Sequence, residues 1–402
     1  MAVPSHRIQK VKPSATLQIT AKAKALRAQG RNVIGLGAGE PDFDTPEHIK
    51  EAAIRALREG FTKYTPVDGI PELKKAIIGK MQRDNHLSYE PDEVLVTSGG
   101  KQAFFNMALA MLNPGDEVII PAPYWVSYPD MTLVADGQPV IIDTHESDGF
   151  KLNPERLAAA ITPKTRFVVL NSPSNPTGAA YSALEMTKIA DVLRAHPHVW
   201  AVSDDIYEKI VYDGFRHVTL VALAPFLKDR TLILNGVSKT YSMTGWRIGY
   251  AVGPREAIKA MGKVQEQSTS CATSIAQRAA AVAISGDQAC VEPMVQAFKE
   301  RRDFIVAALN AIPGIHCNMP EGAFYVFPNV GGLMGRKTPK GALINNSMDL
   351  ADYLLNDLDV ALVPGLAFGK DPFVRISFAI ALDDLKEAMK RIERAARELG
   401  VV

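Results

Sequence analysis

The sequence predicts an α/β protein, with a large domain on a mostly parallel, seven-stranded sheet and a smaller α+β domain beside it. Three observations lead there. Seven short runs rich in β-branched residues recur through the middle of the chain, with helical patterns between several of them. Past about residue 290 the order changes to longer helices with few strands. Finally, 402 residues are too many for one simple core, and a 47% hydrophobic content is enough to fill two.

The segment 1–47 carries a proline-containing arm and one helical pattern, Thr16–Gln29. It is too short to fold alone and is assigned to the small domain or to a subunit contact. Runs at Val94–Thr97, Val118–Ile120, Val140–Ile142, Phe167–Leu170, Val199–Val202, Thr231–Leu234 and Ile248–Val252 read as strands. Helical patterns such as Gln102–Leu112 and Leu184–Ala195 lie between them, and such crossovers make a sheet parallel and cover both its faces. These elements define a large domain over 48–290. Gln296–Ala311 follows as a long amphipathic helix, ending near Pro313 and Gly314. A strand at Ala323–Phe327, a glycine-rich loop at Gly331–Gly341, a helix at Leu350–Leu358, a strand at Val374–Phe378 and a last helix at Leu382–Leu399 come next. They complete a small domain made of 1–47 and 291–402.

Lys plus Arg total 45 against 44 for Asp plus Glu, a balance that argues against a nucleic-acid-binding surface as the main function. Three scattered cysteines, Cys271, Cys290 and Cys317, suggest neither a disulfide framework nor a metal site. The stretch Met1–Arg7 lacks the apolar run of a signal peptide, and no segment is long and apolar enough to span a membrane. A cytoplasmic enzyme with no metal is expected. Two glycine motifs are rejected. In Gly35–Glu40 the third glycine comes one place early for a dinucleotide fingerprint, and Gly99–Gln102 lacks the rest of a P-loop. His196 and His198 close a helix without a cysteine or acidic partner and read as solvated.

The chemistry concentrates at strand ends. Thr231–Leu234 runs into the small-residue loop Asn235–Gly249, which holds one lysine, Lys239, with Arg247 eight residues on. A lysine beyond the carboxyl end of a sheet strand is placed for chemistry, and burial makes its amine nucleophilic. An arginine can fork a phosphate. For an arbitrary Ser-Lys pair the default would be a surface turn. The whole stretch, however, resembles the lysine signature of the class I aminotransferases. Asn171–Gly178, with two prolines and a glycine, resembles the Asn-Pro-x-Gly loop of that family, and Ser203–Tyr207 and Thr97–Gln102 likewise follow strands. The resemblance covers essentially the whole chain, within pyridoxal-phosphate fold type I. It points to the prokaryotic and plastid-type aspartate aminotransferase branch, which includes aspartate/prephenate aminotransferases.

That resemblance implies pyridoxal 5'-phosphate as cofactor, held by Lys239 through an imine, with Ser238 and Arg247 also binding it. Asn175 and Tyr207 bond the cofactor's phenolic oxygen. Asp204 meets its ring nitrogen, as the burial cost of a carboxylate demands a cation; Asp205 is the alternative if the register slips by one. Gly99, Gly100 and Lys101 offer their backbone to the phosphate at a helix N-terminus. Trp125 borders the ring and the substrate, although a lone tryptophan is more often core. Arg375, a charge in an apolar strand, forks the substrate α-carboxylate, with Gly39 and Asn175 on the same group. Tyr64 reaches the neighbouring subunit's phosphate, so a homodimer with shared sites is implied. Lys101, and Lys12 in its Lys-Pro-Ser segment, are candidates for a distal carboxylate; a solvated arm is the plain reading of Lys12. Amino and keto acids are the expected partners: aspartate with 2-oxoglutarate, and prephenate as a further acceptor. A β-lyase or an aromatic or alanine-type aminotransferase of the same fold is the alternative.

Overall fold

Strands whose residues are buried along their whole length need cover on both faces, and the apolar runs at the centre of the chain obtain it. The computed structural model describes residues 3–401; Met1 and Ala2, part of the N-terminal stretch read above, and Val402 lie outside it. The strands are β1 (Ile34–Gly35), β2 (Val94–Thr97), β3 (Glu117–Ala122), β4 (Gln138–Asp143), β5 (Thr165–Asn171) and β6 (Trp200–Asp204), then β7 (Thr231–Gly236), β8 (Gly249–Val252), β9 (Tyr325–Val326), β10 (Val360–Ala361), β11 (Val363–Pro364) and β12 (Val374–Ser377).

Seven of them form the main sheet in the order β2-β8-β7-β6-β5-β3-β4. The run from β4 to β7 is parallel throughout, and β8 alone is antiparallel to both its neighbours. The registers align the ends that matter: Asn171 pairs with Asp204, and Asp204 with Leu234. Side chains just beyond these ends therefore meet in one place, as they do at the carboxyl edge of parallel sheets generally. Helices Gly100–Met111, Arg255–Glu266, Pro71–Asn85 and Ser274–Ser285 lie over the faces and fill separate buried clusters with the sheet.

The C-terminal part is an α/β layer of its own. Helices Val291–Asn310, Ser347–Leu358 and Leu382–Glu398 pack on the three-stranded sheet β11-β12-β9 around one apolar cluster. The last helix buries Leu385, Ala388, Met389, Ile392, Ala395 and Ala396, a stripe at helical spacing. β1 joins this part by parallel pairing with β10.

Several boundaries differ from the sequence reading. The predicted strand Ala323–Phe327 pairs only at Tyr325–Val326, because Ala323 sits at φ 57° and gives its N–H to Ile210 instead. The helix expected from Gln296 starts at Val291, since Pro293 in a first turn has no N–H to lose. The helix expected from Leu350 starts at Ser347, where the Asn346 side chain accepts the N–H groups of Met348 and Asp349. The helix expected from Gln102 starts at Gly100, which brings its N-terminus to the edge of the main cavity.

Candidate active site

β6 and β7 end side by side, and the segments after them define one wall of a cavity of about 250 Å³. Lys239, three residues beyond β7, lines it together with Ser238, Asp204, Tyr207, Asn175, Arg247 and Arg375. Gly39, Gly100, Lys101 and Trp125 line it from other elements.

The Lys239 amine is buried and donates to the Gly39 carbonyl at 2.5 Å. Burial, opposed by Glu40 and reinforced by Arg375 and Arg247, brings its pKa down to about 8. A neutral amine, the nucleophilic form, is thus accessible near neutral pH. Asp204 is buried too, and burial pushes its carboxyl up to about 6, against hydrogen bonds from the Tyr128 hydroxyl and the Ile206 N–H. Asp205 points the other way. It accepts from Ser203 at 2.7 Å and faces His217 at 3.5 Å in a separate buried cluster. Of the two aspartates, Asp204 is therefore the one that enters the cavity.

Arg375 donates to Asn175 Oδ1 at 2.9 Å and to the Gly37 carbonyl at 2.5 Å, while its buried Nε has no partner. Its guanidinium lies over the Tyr325 and Phe368 rings, at 4.7 and 5.0 Å. The Tyr325 hydroxyl lies 2.8 Å from that of Tyr207. Lys101 places its ammonium 5.1 Å from the Trp125 ring, and burial together with Arg247 lowers its pKa.

The loop entering the helix Gly100–Met111 is tight. Gly99 has φ 87°, and a Cβ there would lie 2.5 Å from the Arg247 guanidinium. A Cβ on Gly249 would lie 2.3 Å from the Gly100 nitrogen. Arg247 itself sits in the left-handed region at φ 57°, a conformation unusual outside glycine and common at functional sites. Its side chain is held by the carbonyls of Thr244, at 2.8 Å, and Ser98, at 3.5 Å. First-turn N–H groups with no acceptor in their helix, beside an arginine, make an anion cradle.

Two expected residues stand apart. Tyr64 is 92% exposed and does not line the cavity of its own chain. Lys12 is also outside the wall, its backbone N–H directed at Asp130; Ser14, Thr16 and Leu17 of the same arm line the cavity instead. The sequence reading passed over Tyr128, Tyr325, Asn171, Asn235 and Thr244, all of which line it. Tyr128 lies three residues after Trp125, which was its only available signal.

The cavity has what a planar, phosphorylated pyridine aldehyde requires. An unpartnered arginine nitrogen and a buried carboxylate with no salt bridge among the described residues are costs that such a ligand and its carboxylate substrate remove. Lys239, Asp204, Tyr207 and the Gly100–Arg247 cradle would hold the aldehyde, ring nitrogen, phenolic oxygen and phosphate respectively.

Fold and site together define an enzyme that handles amino groups on pyridoxal phosphate. The chain belongs to the class I and II aminotransferases, whose family profile matches residues 31–392. It is 55% identical over 397 residues to the aspartate aminotransferase of Rhizobium meliloti (strain 1021), covering 99% of this chain and 97% of that one. It is also 55% identical over 390 residues to the aspartate/prephenate aminotransferase of Nitrosomonas europaea, covering 96% and 98%. The crystal structure of the Rhizobium meliloti aspartate aminotransferase superposes with a TM-score of 0.96 over 99% of this chain and 100% of that one, at 55% identity. The Thermus thermophilus aspartate aminotransferase with maleate gives 0.92 at 45% identity, over 98% and 100%.

Proposed function

We propose that the enzyme moves the amino group between L-aspartate and 2-oxoglutarate, giving oxaloacetate and L-glutamate, and that prephenate is a further acceptor. The observation that carries this is a pair of cations in one cavity, Arg375 and Lys101, each beside its own set of partners. A dicarboxylate presents one carboxylate to each. Lys101 is an ammonium whose charge is disfavoured by burial, and an incoming anion relieves that penalty. The names of the relatives above and the maleate of the Thermus structure support the same reading.

Bound pyridoxal phosphate supplies an aldehyde for the amine and a ring that accepts the electrons released at the substrate α-carbon. Arg375 forks the α-carboxylate, aided by Asn175, and fixes which bond at that carbon faces Lys239. The Lys239 amine would take the α-proton as base and deliver it as acid to the carbon on the far side of the nitrogen, the former aldehyde carbon of the cofactor. Asp204 keeps a proton on the ring nitrogen. Tyr207 donates to the phenolic oxygen. The Gly99–Lys101 backbone and Ser238, with Arg247, anchor the phosphate. Two copies form the working unit, with Tyr64 of each reaching the other's phosphate, in the cytoplasm. No helix among the described residues is long and apolar enough to cross a membrane. Residues 48–290 act as the cofactor-binding domain against 1–47 and 291–402, and Lys12 is a second contact for the distal carboxylate.

The test is a half-reaction screen that follows the aldehyde form of the cofactor as it converts with each amino acid. Aspartate and glutamate should convert it fastest. Lys101→Ala should lower kcat/KM for aspartate about ten- to a hundredfold while sparing alanine, the loss expected for one buried charge partner. Equal losses for both would remove the distal-carboxylate role.

A further inference from the structure

Asp204 does not stand alone against the cavity. The hydroxyl of Tyr128 donates to Asp204 Oδ2 at 2.5 Å. That tyrosine is fully buried, at the start of the helix Ser127–Val134, and itself lines the cavity. Its ring is fixed on two sides. It lies 5.0 Å from Phe104 and edge-on to Trp125 at 5.1 Å. Its backbone is held as well, N–H to the Trp125 carbonyl and carbonyl to the Thr132 hydroxyl. A ring clamped this way has one place to put its hydroxyl.

The direction of the bond is also fixed. Burial and the neighbouring Asp204 push the Tyr128 phenol well above its ordinary range, so it keeps its proton and donates. The bond occupies Oδ2. Oδ1 receives only the long 3.4 Å contact from the Ile206 N–H. One carboxylate oxygen is therefore committed and the other is left for a ligand.

We propose that Tyr128 is a positioning residue for the cofactor ring: it aims Asp204 Oδ1 at the ring nitrogen and makes that carboxylate a weaker base, so that the shared proton stays on the ring. This rests on the aminotransferase reading above. The physical argument is a competition for one proton. A carboxylate stripped of its donor in a dry site, with the Asp205 carboxylate next to it, binds a proton more tightly and draws it from the ring. A ring without that proton is a poorer acceptor of the electrons from the α-carbon, while substrate binding by Arg375 is untouched.

The experiment is nitrogen NMR of full-length enzyme loaded with pyridoxal phosphate labelled with 15N in the ring, comparing wild type with Tyr128→Phe. The phenylalanine keeps the packing on Phe104 and Trp125. The wild-type signal is expected in the protonated range and the variant's shifted toward the unprotonated one. In parallel kcat should fall about tenfold or more, as for loss of a charge-assisted hydrogen bond, with KM for the amino donor within about twofold. Should Tyr128→Phe not fold, Tyr128→His retains a ring donor and is expected to keep the ring nitrogen protonated; an unprotonated ring there overturns the proposal. An identical ring-nitrogen signal in loaded wild type and Tyr128→Phe overturns this inference alone. A wild-type protein that takes up no pyridoxal phosphate overturns the aminotransferase reading, and this inference with it.

Discussion

Lys239 and Asp204 are both pushed by burial toward their neutral forms, the lysine down to about 8 and the aspartate up to about 6. For Asp204 this has a measurable consequence in the protein freed of cofactor. Between the ordinary carboxyl value of 3.8 and about 6, the folded chain keeps a proton that the unfolded chain has lost. Stability from this group is therefore complete below about pH 4 and is lost as pH rises through about 6. Urea unfolding of cofactor-free wild type should lose about 3 kcal/mol across that window relative to Asp204→Asn, at 1.36 kcal/mol per unit. Loading with a cationic ring should abolish the difference, and a slope that persists in the loaded protein would contradict a cation beside Asp204. Lys239→Ala should cost at least a hundredfold in turnover, the lower range for a lost proton-transfer group, with loss of the imine absorption. Lys239, Asp204, Asn175 and Arg375 were legible because each stands next to a strand end or within an apolar strand, where its residue type is out of place. Tyr128 was not, because its significance lies in a partner 76 positions away that no local pattern announces.

At the scale of elements, two close approaches carry the site. β8 runs so near the start of the helix Gly100–Met111 that Gly249 has no room for a side chain. Gly249→Ala should shift that helix and open the anion cradle, weakening cofactor retention tenfold or more and costing about 1–3 kcal/mol of stability. Equilibrium dialysis and thermal unfolding would measure the two effects. Behind β6 and β7, Lys80 pairs with Glu208, their side chains only 5% and 6% exposed, and Glu208 also accepts from Asn235 at 2.7 Å. The pair ties the residue after Tyr207 to the strand that leads to Lys239. Lys80→Met leaves a buried carboxylate unpaired and should cost about 3–5 kcal/mol in urea unfolding, most of it recovered in Lys80→Met/Glu208→Gln. The strands of the main sheet were readable because burial on both faces leaves unbroken apolar runs. β9 was over-read for the opposite reason: apolar residues flank it, but Ala323 leaves the strand conformation to bond elsewhere.

The whole molecule combines a sheet that holds the reactive groups with a C-terminal layer that supplies Arg375. The layered α/β class was visible in the alternation of periodicities, whereas the cover helices with mixed polarity, such as Pro71–Asn85, left weak traces in the sequence. The proposed dimer makes a prediction of its own. Hybrids that pair a Tyr64→Ala copy with a Lys239→Ala copy should regain one intact site, because Tyr64 serves the opposite subunit, and about half of wild-type activity should return. If Tyr64 served its own chain, each site of the hybrid would carry a lesion and activity would stay near zero.

The bond from Arg375 to the Gly37 carbonyl joins positions 338 residues apart. During synthesis on the ribosome, Gly37 emerges early and waits for nearly the whole polypeptide before its partner exists. The strand ends that bear Asp204 and Lys239 are complete far sooner. A nascent chain can therefore assemble the cofactor half of its pocket while the half that selects a carboxylate is still being translated.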